Sequence, residues 1–431
     1  MKKKALVFVP HNPCPPRTGA HKRYLETISG LRALGFHVTV ALSTFTTDSE
    51  ITQASVEALR ADFADDVRVH VASDADRRFV SRLEKFYELD YLSVPIVRRL
   101  YPLGSKRTPP VSSRIYSPPG MRRWFRELAG EIGPDLIFIN YAYWDSLVDH
   151  HRWRDATTII ETIDLTTLNR KMWRALESRL PPAPIDPADV PEEVLREDFY
   201  ARLDLVASPE EFGIYDKYTY TLAISEHEAG VIARNTRRTK VVYLPMTQEA
   251  QSLANTYDGS ALLTTGPNPF NTQGYLYFIR RVLPLVRAAE PSFDLFVTGY
   301  CCERVLPVEG VTHGGFVPDI ATVYASSRFF VSPVFGGTGQ QVKIVEAMAH
   351  GLPVVALRDP AARSPIRHGE NGLVADNAEE FAAHVLRLWR DPALCRQLGE
   401  AARAIIRRDF SRERLLEDFS VMAGSHTDAG L

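Results

Sequence analysis

In the run FFVSPVFGGTGQQVKIVEAMAHGLPVVAL, Phe329–Leu357, the glycines Gly336, Gly337 and Gly339 stand just ahead of an apolar helical pattern carrying Lys343 and Glu346. Glycines before a helix leave its unpaired N–H groups open to an anion, and the macrodipole adds positive potential there. Glu346 lies within Ile-Val-Glu-Ala-Met-Ala, where a carboxylate suits the hydroxyls of a sugar or ribose. A helical spacing of three puts Lys343 on the same face. A phosphate on the loop and hydroxyls on the carboxylate describe a nucleotide-sugar site.

Such residues need a frame. The run reads as strand, glycine loop, helix, tight stop and second strand, one unit of a parallel sheet with crossover helices. The same alternation fills the first half, with strands expected at Lys4–Pro10, Val38–Leu42, Val67–Val71, Leu136–Asn140, Thr158–Glu161 and Thr221–Ile224. Helices are expected there at His21–Leu34, ended by Gly35, and at Glu192–Leu203. The pattern restarts near Ala261 with strands at Leu262–Thr265, Leu295–Thr298, Thr312–Gly315 and Phe329–Ser332, and helices at Gly274–Ala288 and Ile320–Ser326. Polar Thr247–Ser260 is the expected linker, and amphipathic helices from Ala378 onward precede the tail SHTDAGL. The expected fold class is α/β, as two Rossmann-like doubly wound domains facing across a cleft. Residues 1–250 form the first domain and 251–405 the second. Residues 406–431 form a helix packing back on the first domain and a polar tail. Ligands of open α/β sheets bind at the carboxyl ends of the strands.

Composition narrows the class. A chain of 431 residues implies about two domains. A net charge of -2 gives no electrostatic reason to expect nucleic acid as a partner. The cysteines Cys14, Cys301, Cys302 and Cys395 show neither CxxC spacing nor a nearby His, so no metal site is expected and a reduced cytoplasmic compartment is the simplest reading. The apolar stretch in MKKKALVFVP is too short for a signal peptide, and no run reaches membrane-span length. The cluster Arg122, Arg123, Trp124, Phe125 and Arg126 reads as a solvated helix face, with peripheral membrane contact as the alternative. Asp74-Ala75-Asp76 beside Arg77 and Arg78 reads as a solvated charged loop, and no GxGxxG follows the first strand to suggest a dinucleotide oxidoreductase.

The segment GGTGQQVKIVEAMAHGLPVV resembles the C-terminal-domain motif of retaining, nucleotide-sugar-dependent GT-B glycosyltransferases of the family 4 type. Other pieces agree in order. HNPCPPRTGAHKRYLETISGLRALGFHVTV resembles the family's opening strand–loop–helix–strand unit, and AISEHEAGVI with KVVYLP resembles the end of its first domain. LLTTGPNPFNTQGYLYFIRRVLPLV resembles the start of the second domain, and GGFVPDIATVYASSRFFVSP the segment that contacts the nucleobase.

The resemblance implies that Glu346 accepts hydrogen bonds from ribose hydroxyls. It implies donor contacts from the loop Gly337-Thr338-Gly339-Gln340, from Gly266 and Asn268, and from Phe316 and Val317. Gly19 matches the family's glycine in the loop that closes over the donor phosphates. Two departures stand out. Many relatives hold the sugar with a second Glu eight positions before Glu346, where this chain has Thr338. Relatives also neutralise the diphosphate with an Arg and a Lys in the loop that here reads Gly266–Gly274 and has no basic residue. A leaving diphosphate gathers negative charge, so a cation or oriented N–H donors must replace them. Lys343 is the candidate, with Arg280 or Arg281 behind it. Asp164, at the end of the apparent strand ETIDL, either reaches the cleft as a catalytic group or caps the next helix. His21, Lys22 and Arg23 either contact phosphate or form a polar first turn.

The implied reaction moves a sugar from a nucleotide-diphosphate donor to an acceptor hydroxyl with retention of configuration, without metal or added cofactor. The acceptor is a saccharide, a lipid-linked saccharide or a small-molecule aglycone, and the setting is cytoplasmic, with or without membrane association. A nucleotide-sugar epimerase that hydrolyses its donor and a non-catalytic nucleotide-binding descendant are the alternatives.

Overall fold

The computed structural model describes residues 2–14, 18–45, 53–63, 66–88, 111, 114–252 and 255–424. Pro15–Arg17 of the first loop, most of Asp76–Ser117 and the tail SHTDAGL lie outside them.

Among the described residues there are two wholly parallel sheets. The first contains β1 (Lys4–Phe8), β2 (His37–Ser43), β3 (Val67–His70), β4 (Leu136–Asn140), β5 (Thr157–Glu161), β6 (Tyr220–Ala223) and β7 (Lys240–Tyr243), in the order β3-β2-β1-β4-β5-β6-β7. The second contains β8 (Ala261–Thr265), β9 (Leu295–Gly299), β10 (Val311–Gly315), β11 (Phe329–Ser332), β12 (Val354–Leu357) and β13 (Gly372–Ala375), in the order β10-β9-β8-β11-β12-β13. Each order reverses at the sheet's first strand, and that switch point is where doubly wound sheets open a crevice for ligand.

Helices cover both faces of each sheet, which is why the strands are apolar runs rather than alternating ones. In β1, Ala5 and Val7 enter one core with Tyr24, Ile28 and Leu31, while Leu6 and Phe8 enter another with Met121, Phe125 and Trp144. Apart from the stretch around 172–199, whose apolar residues also enter the second domain's core, the described chain crosses between the domains twice. The first crossing is the segment after β7. At the second, the helix Pro392–Asp409 buries Leu398, Ala402 and Ile406 in the second domain, and the following helix Arg412–Gly424 buries Leu415, Phe419 and Met422 in the first. Gly30 makes room for that return: a Cβ there would stand 2.9 Å from Leu415 Cδ2 and 3.0 Å from Phe419 Cδ2.

Some expected elements differ. Glu192–Leu203 is not one helix but two 3-10 turns, Glu192–Leu195 and Ala201–Leu203. Val194, Leu195 and Phe199 are drawn into the second domain's core, and Gln273 Nε2 binds the Val194 carbonyl at 2.8 Å. The helix expected at Gly274–Ala288 begins earlier, at Pro269, and passes through a π turn, Phe278–Val282, just before Pro284. Pro284 has no N–H to offer the carbonyl four residues back, and the wider turn accommodates that gap. Asp74-Ala75-Asp76 is the first turn of the helix Asp74–Glu88 rather than a solvated loop. Asp76 is buried there, accepting from Ser73 Oγ and Gly120 N, each at 2.8 Å.

Candidate functional site

The glycine loop leads from β11 into the helix Val342–Ala349, which starts three residues past Gly339. Ile344, Val345, Ala347, Met348 and Ala349 are buried, so Lys343 and Glu346 share the face that remains partly open. The Lys343 ammonium reaches the loop after β8: its Nζ is 3.4 Å from the point where a Cβ on Gly266 would stand. Burial lowers the lysine pKa, opposed by the charge of Glu346 and then by Cys301. The loop without a basic residue thus has one beside it, supplied by the neighbouring helix. Arg280 and Arg281 do not stand behind Lys343. Arg280 donates to Glu192 and the Pro187 carbonyl, and Arg281 Nη1 lies 3.5 Å from Glu192, which holds the 187–192 segment instead.

Asn268 caps the helix Pro269–Tyr277, its Oδ1 accepting from Phe270 N at 2.9 Å. Phe316, just past β10, is 83% exposed, with Val317 half-buried beside it. Glu346 is partly exposed and faces a cation from the other domain, Lys22 Nζ at 3.7 Å from Oε1. Beneath it Tyr324 is buried and stacked on His350, ring centroids 4.7 Å apart. Burial, and then the charge of Glu346, hold the Tyr324 hydroxyl well above the usual phenol range.

From the first domain, Gly19 opens the helix Gly19–Ala33, whose N-cap Thr18 accepts from His21 N at 3.2 Å. A Cβ at Gly19 would lie 3.4 Å from Met246 Cε and 3.8 Å from Val342 Cγ2, so this helix start abuts the start of the Lys343 helix. Arg23 is not available to a phosphate. It is fully buried, with Nε 2.5 Å from Glu161 Oε1 and its other nitrogens on the Leu244 and Pro245 carbonyls at 3.0 and 2.9 Å. It ties the helix to the end of β5 and to the first crossing.

The glycine loop itself is docked on the first domain. Thr338 Oγ1 donates to Asp164 Oδ1 at 2.9 Å and accepts from Leu165 N at 3.1 Å. Gln340 Oε1 accepts from Met246 N at 3.0 Å. A Cβ on Gly339 would stand 2.5 Å from the Ile163 carbonyl, so only glycine permits this approach. Ile163 has φ 59, a conformation rare for a β-branched residue. Asp164 does not cap the helix Thr166–Glu177: Leu165 precedes it, and Glu211 takes Thr166 N at 2.7 Å and Thr167 N at 3.0 Å. Burial pushes the Asp164 carboxyl up, against the Thr338 hydrogen bond and the Arg363 charge.

Arg363 is a site residue that sequence reasoning missed. It is buried, and from the far side of the loop its Nη1 and Nη2 reach the Gly339 and Gly336 carbonyls, each at 3.2 Å. In ALRDPAARSP only the spacing of four from Asp359, with which Arg363 pairs, is visible; its loop partners Gly339 and Gly336 lie more than twenty residues away. Among the described residues, no group of three or more His, Cys, Asp or Glu is placed to hold a metal ion, and no helix is long and apolar enough to cross a membrane.

Residues 259–391 match the family model described as Glycosyl transferases group 1. The second domain thus resembles the group 1 glycosyl transferases. An uncharacterized glycosyltransferase of Haemophilus influenzae is 26% identical over 176 residues, 38% of this chain and 48% of that one. The chain spans less than half the length of the curated relatives it matches. In structure, sucrose-phosphate synthase from Thermosynechococcus elongatus superposes over 100% of both chains with a TM-score of 0.62 at 16% identity. HepE from Anabaena, solved with UDP and glucose, covers 98% of this chain and 100% of its own with a TM-score of 0.57 at 13% identity. The chain shares their fold, two facing parallel-sheet α/β domains of the GT-B kind.

Proposed function

We propose that the chain is a glycosyltransferase that moves a sugar from a nucleotide-diphosphate donor to an acceptor hydroxyl, with retention of configuration and without a metal ion. The observation that carries this reading is the pairing of Lys343 and Glu346 on one open helix face, with the lysine Nζ 3.4 Å from the Cβ position of Gly266. That arrangement offers a cation where a diphosphate would sit and a carboxylate where ribose hydroxyls would sit.

In the reaction, the bond from the sugar C1 to the phosphate oxygen breaks as the bond from C1 to the acceptor oxygen forms. The acceptor proton passes to the leaving diphosphate. Lys343 stabilises the charge that gathers on that leaving group, the term that contributes most in such sites. Glu346 orients the ribose, Gly19 and Gly337–Gln340 border the phosphates and sugar, and Phe316 with Val317 border the base. Closure of the domains excludes water, which limits hydrolysis. Retention follows from the resemblance of the loop and helix to retaining enzymes. The acceptor is a hydroxyl-bearing saccharide, lipid-linked saccharide or aglycone, and the place of action is the cytoplasm. Because HepE is described with UDP and glucose, UDP-glucose is the first donor to test.

The test is turnover with a panel of nucleotide sugars and acceptors in the presence of EDTA, with NMR of the product's anomeric centre. Transfer that survives the chelator and keeps the donor's configuration is expected. Dependence on a divalent ion, or an inverted product, overturns that part of the reading. Tight nucleotide binding without turnover for any donor overturns transfer itself.

A further inference from the structure

Resting on the reading of residues 336–346 as the donor site, we infer that Asp164 and Thr338 form a lock between the domains that sets the shape of the donor's glycine loop. The Thr338 hydroxyl is bonded on both sides. It gives its proton to Asp164 Oδ1 at 2.9 Å and receives the Leu165 N–H at 3.1 Å, so its rotation is fixed. A Cβ on Gly339 would stand 2.8 Å from the same Oδ1, so the loop backbone lies directly against this carboxylate. On the opposite side, Arg363 binds the Gly336 and Gly339 carbonyls at 3.2 Å. The loop is therefore held between a carboxylate from one domain, which takes the Thr338 hydroxyl, and a guanidinium from its own, which takes its acceptors.

Only one of those two clamps moves with the second domain. The turn Ile163–Leu165 follows β5 of the first domain, and its backbone is already committed by the positive φ of Ile163. A residue in that region persists only where its surroundings over-determine it. Here the close approach of Gly339 to the Ile163 carbonyl does so. When the domains part, Thr338 loses both of its partners, Gly339 loses its close contact with the Ile163 turn, and the loop keeps Arg363. The donor site is thus complete only in the docked arrangement, which couples the grip on the sugar to closure over the acceptor. In this account Asp164 is a positioning residue that acts through Thr338 and Gly339, not a catalytic residue.

The test uses the full chain and the variants Asp164→Ala, Thr338→Val and their combination. Each single change is expected to lower kcat about tenfold or more while affinity for UDP stays within about threefold. The combination should cost clearly less than the product of the two single effects, because both remove the shared Thr338–Asp164 bond. Hydrolysis of the donor should rise as a share of turnover, and amide exchange at Leu165 and Gly339 should speed up. The conservative Thr338→Ser keeps the hydroxyl and is expected to match the wild type. Three outcomes overturn the lock: a silent Thr338→Val beside a dead Asp164→Ala, which puts the carboxylate on substrate; effects that multiply in the combination; or unchanged amide exchange in the variants. If the wild type transfers no sugar from any donor, the donor-site reading fails, and the exchange measurement still decides the lock by itself.

Discussion

Lys343 Nζ stands 3.4 Å from where a Cβ on Gly266 would be, so the helix that carries Glu346 also brings positive charge to the loop after β8. The first consequence concerns that charge. Lys343→Met removes the cation proposed to face the leaving group and is expected to lower kcat by about a hundredfold or more, the usual cost of one lost charge-stabilising donor. Lys343→Arg should recover little, because a guanidinium spreads its charge over a planar fork in place of the lysine's compact ammonium. Steady-state kinetics with a saturating donor check this.

The same lysine predicts a pH limit. Its pKa is lowered by burial, so the neutral form appears below the ordinary lysine range. The rate should fall on an alkaline limb that begins earlier than an exposed lysine would give, and Lys343→Arg should remove that limb. A pH profile of kcat/KM for both proteins reads it.

Glu346 is partly exposed and meets Lys22 across the cleft at 3.7 Å. If it takes the ribose hydroxyls, Glu346→Ala removes hydrogen bonds to a charged acceptor and weakens nucleotide binding by about 1.5–3 kcal/mol. Calorimetry with UDP measures this directly. Unchanged affinity removes the ribose role.

Glu228 gives a stability prediction independent of activity. It is fully buried, accepts from Thr162 Oγ1 at 2.7 Å, and burial pushes its carboxyl from 4.5 up to about 8. The folded protein therefore holds this proton between those values while the unfolded chain releases it. Stability contributed by the group is intact below 4.5 and is lost as pH rises towards about 8. Glu228→Gln keeps an acceptor for Thr162 without the titration. It should match the wild type at acid pH and exceed it by roughly 3–5 kcal/mol at alkaline pH. Urea unfolding of both proteins across the range tests the sign and the size.

Arg363→Lys keeps the charge but cannot reach the Gly336 and Gly339 carbonyls at once. A loss of about tenfold or more in kcat/KM is expected, with the far-ultraviolet spectrum unchanged. Wild-type activity in this variant would show that the loop holds its shape without the guanidinium.

The chain order alone determined a good deal: the strands, the restart near Ala261 and the stretch from Gly336 to Glu346. All of these are written in local signals, apolar runs for strands, spacing of three and four for helices, and glycines where backbone must come close. Local signals also misled where distant contacts prevail, as at Glu192–Leu203, whose apolar residues pack into the other domain's core as two short turns instead of one helix. The partners of the site's side chains belong to tertiary structure alone. Asp164 and Thr338 are 174 residues apart, and Arg23 and Glu161 are 138 apart. No spacing rule reaches across such separations, because the bond exists only once two sheets have formed and met. Residue types thus pointed to a ribose and a phosphate, whereas docking of the domains decided that Arg23 is structural, that Lys343 faces Gly266, and that Asp164 meets the glycine loop through Thr338.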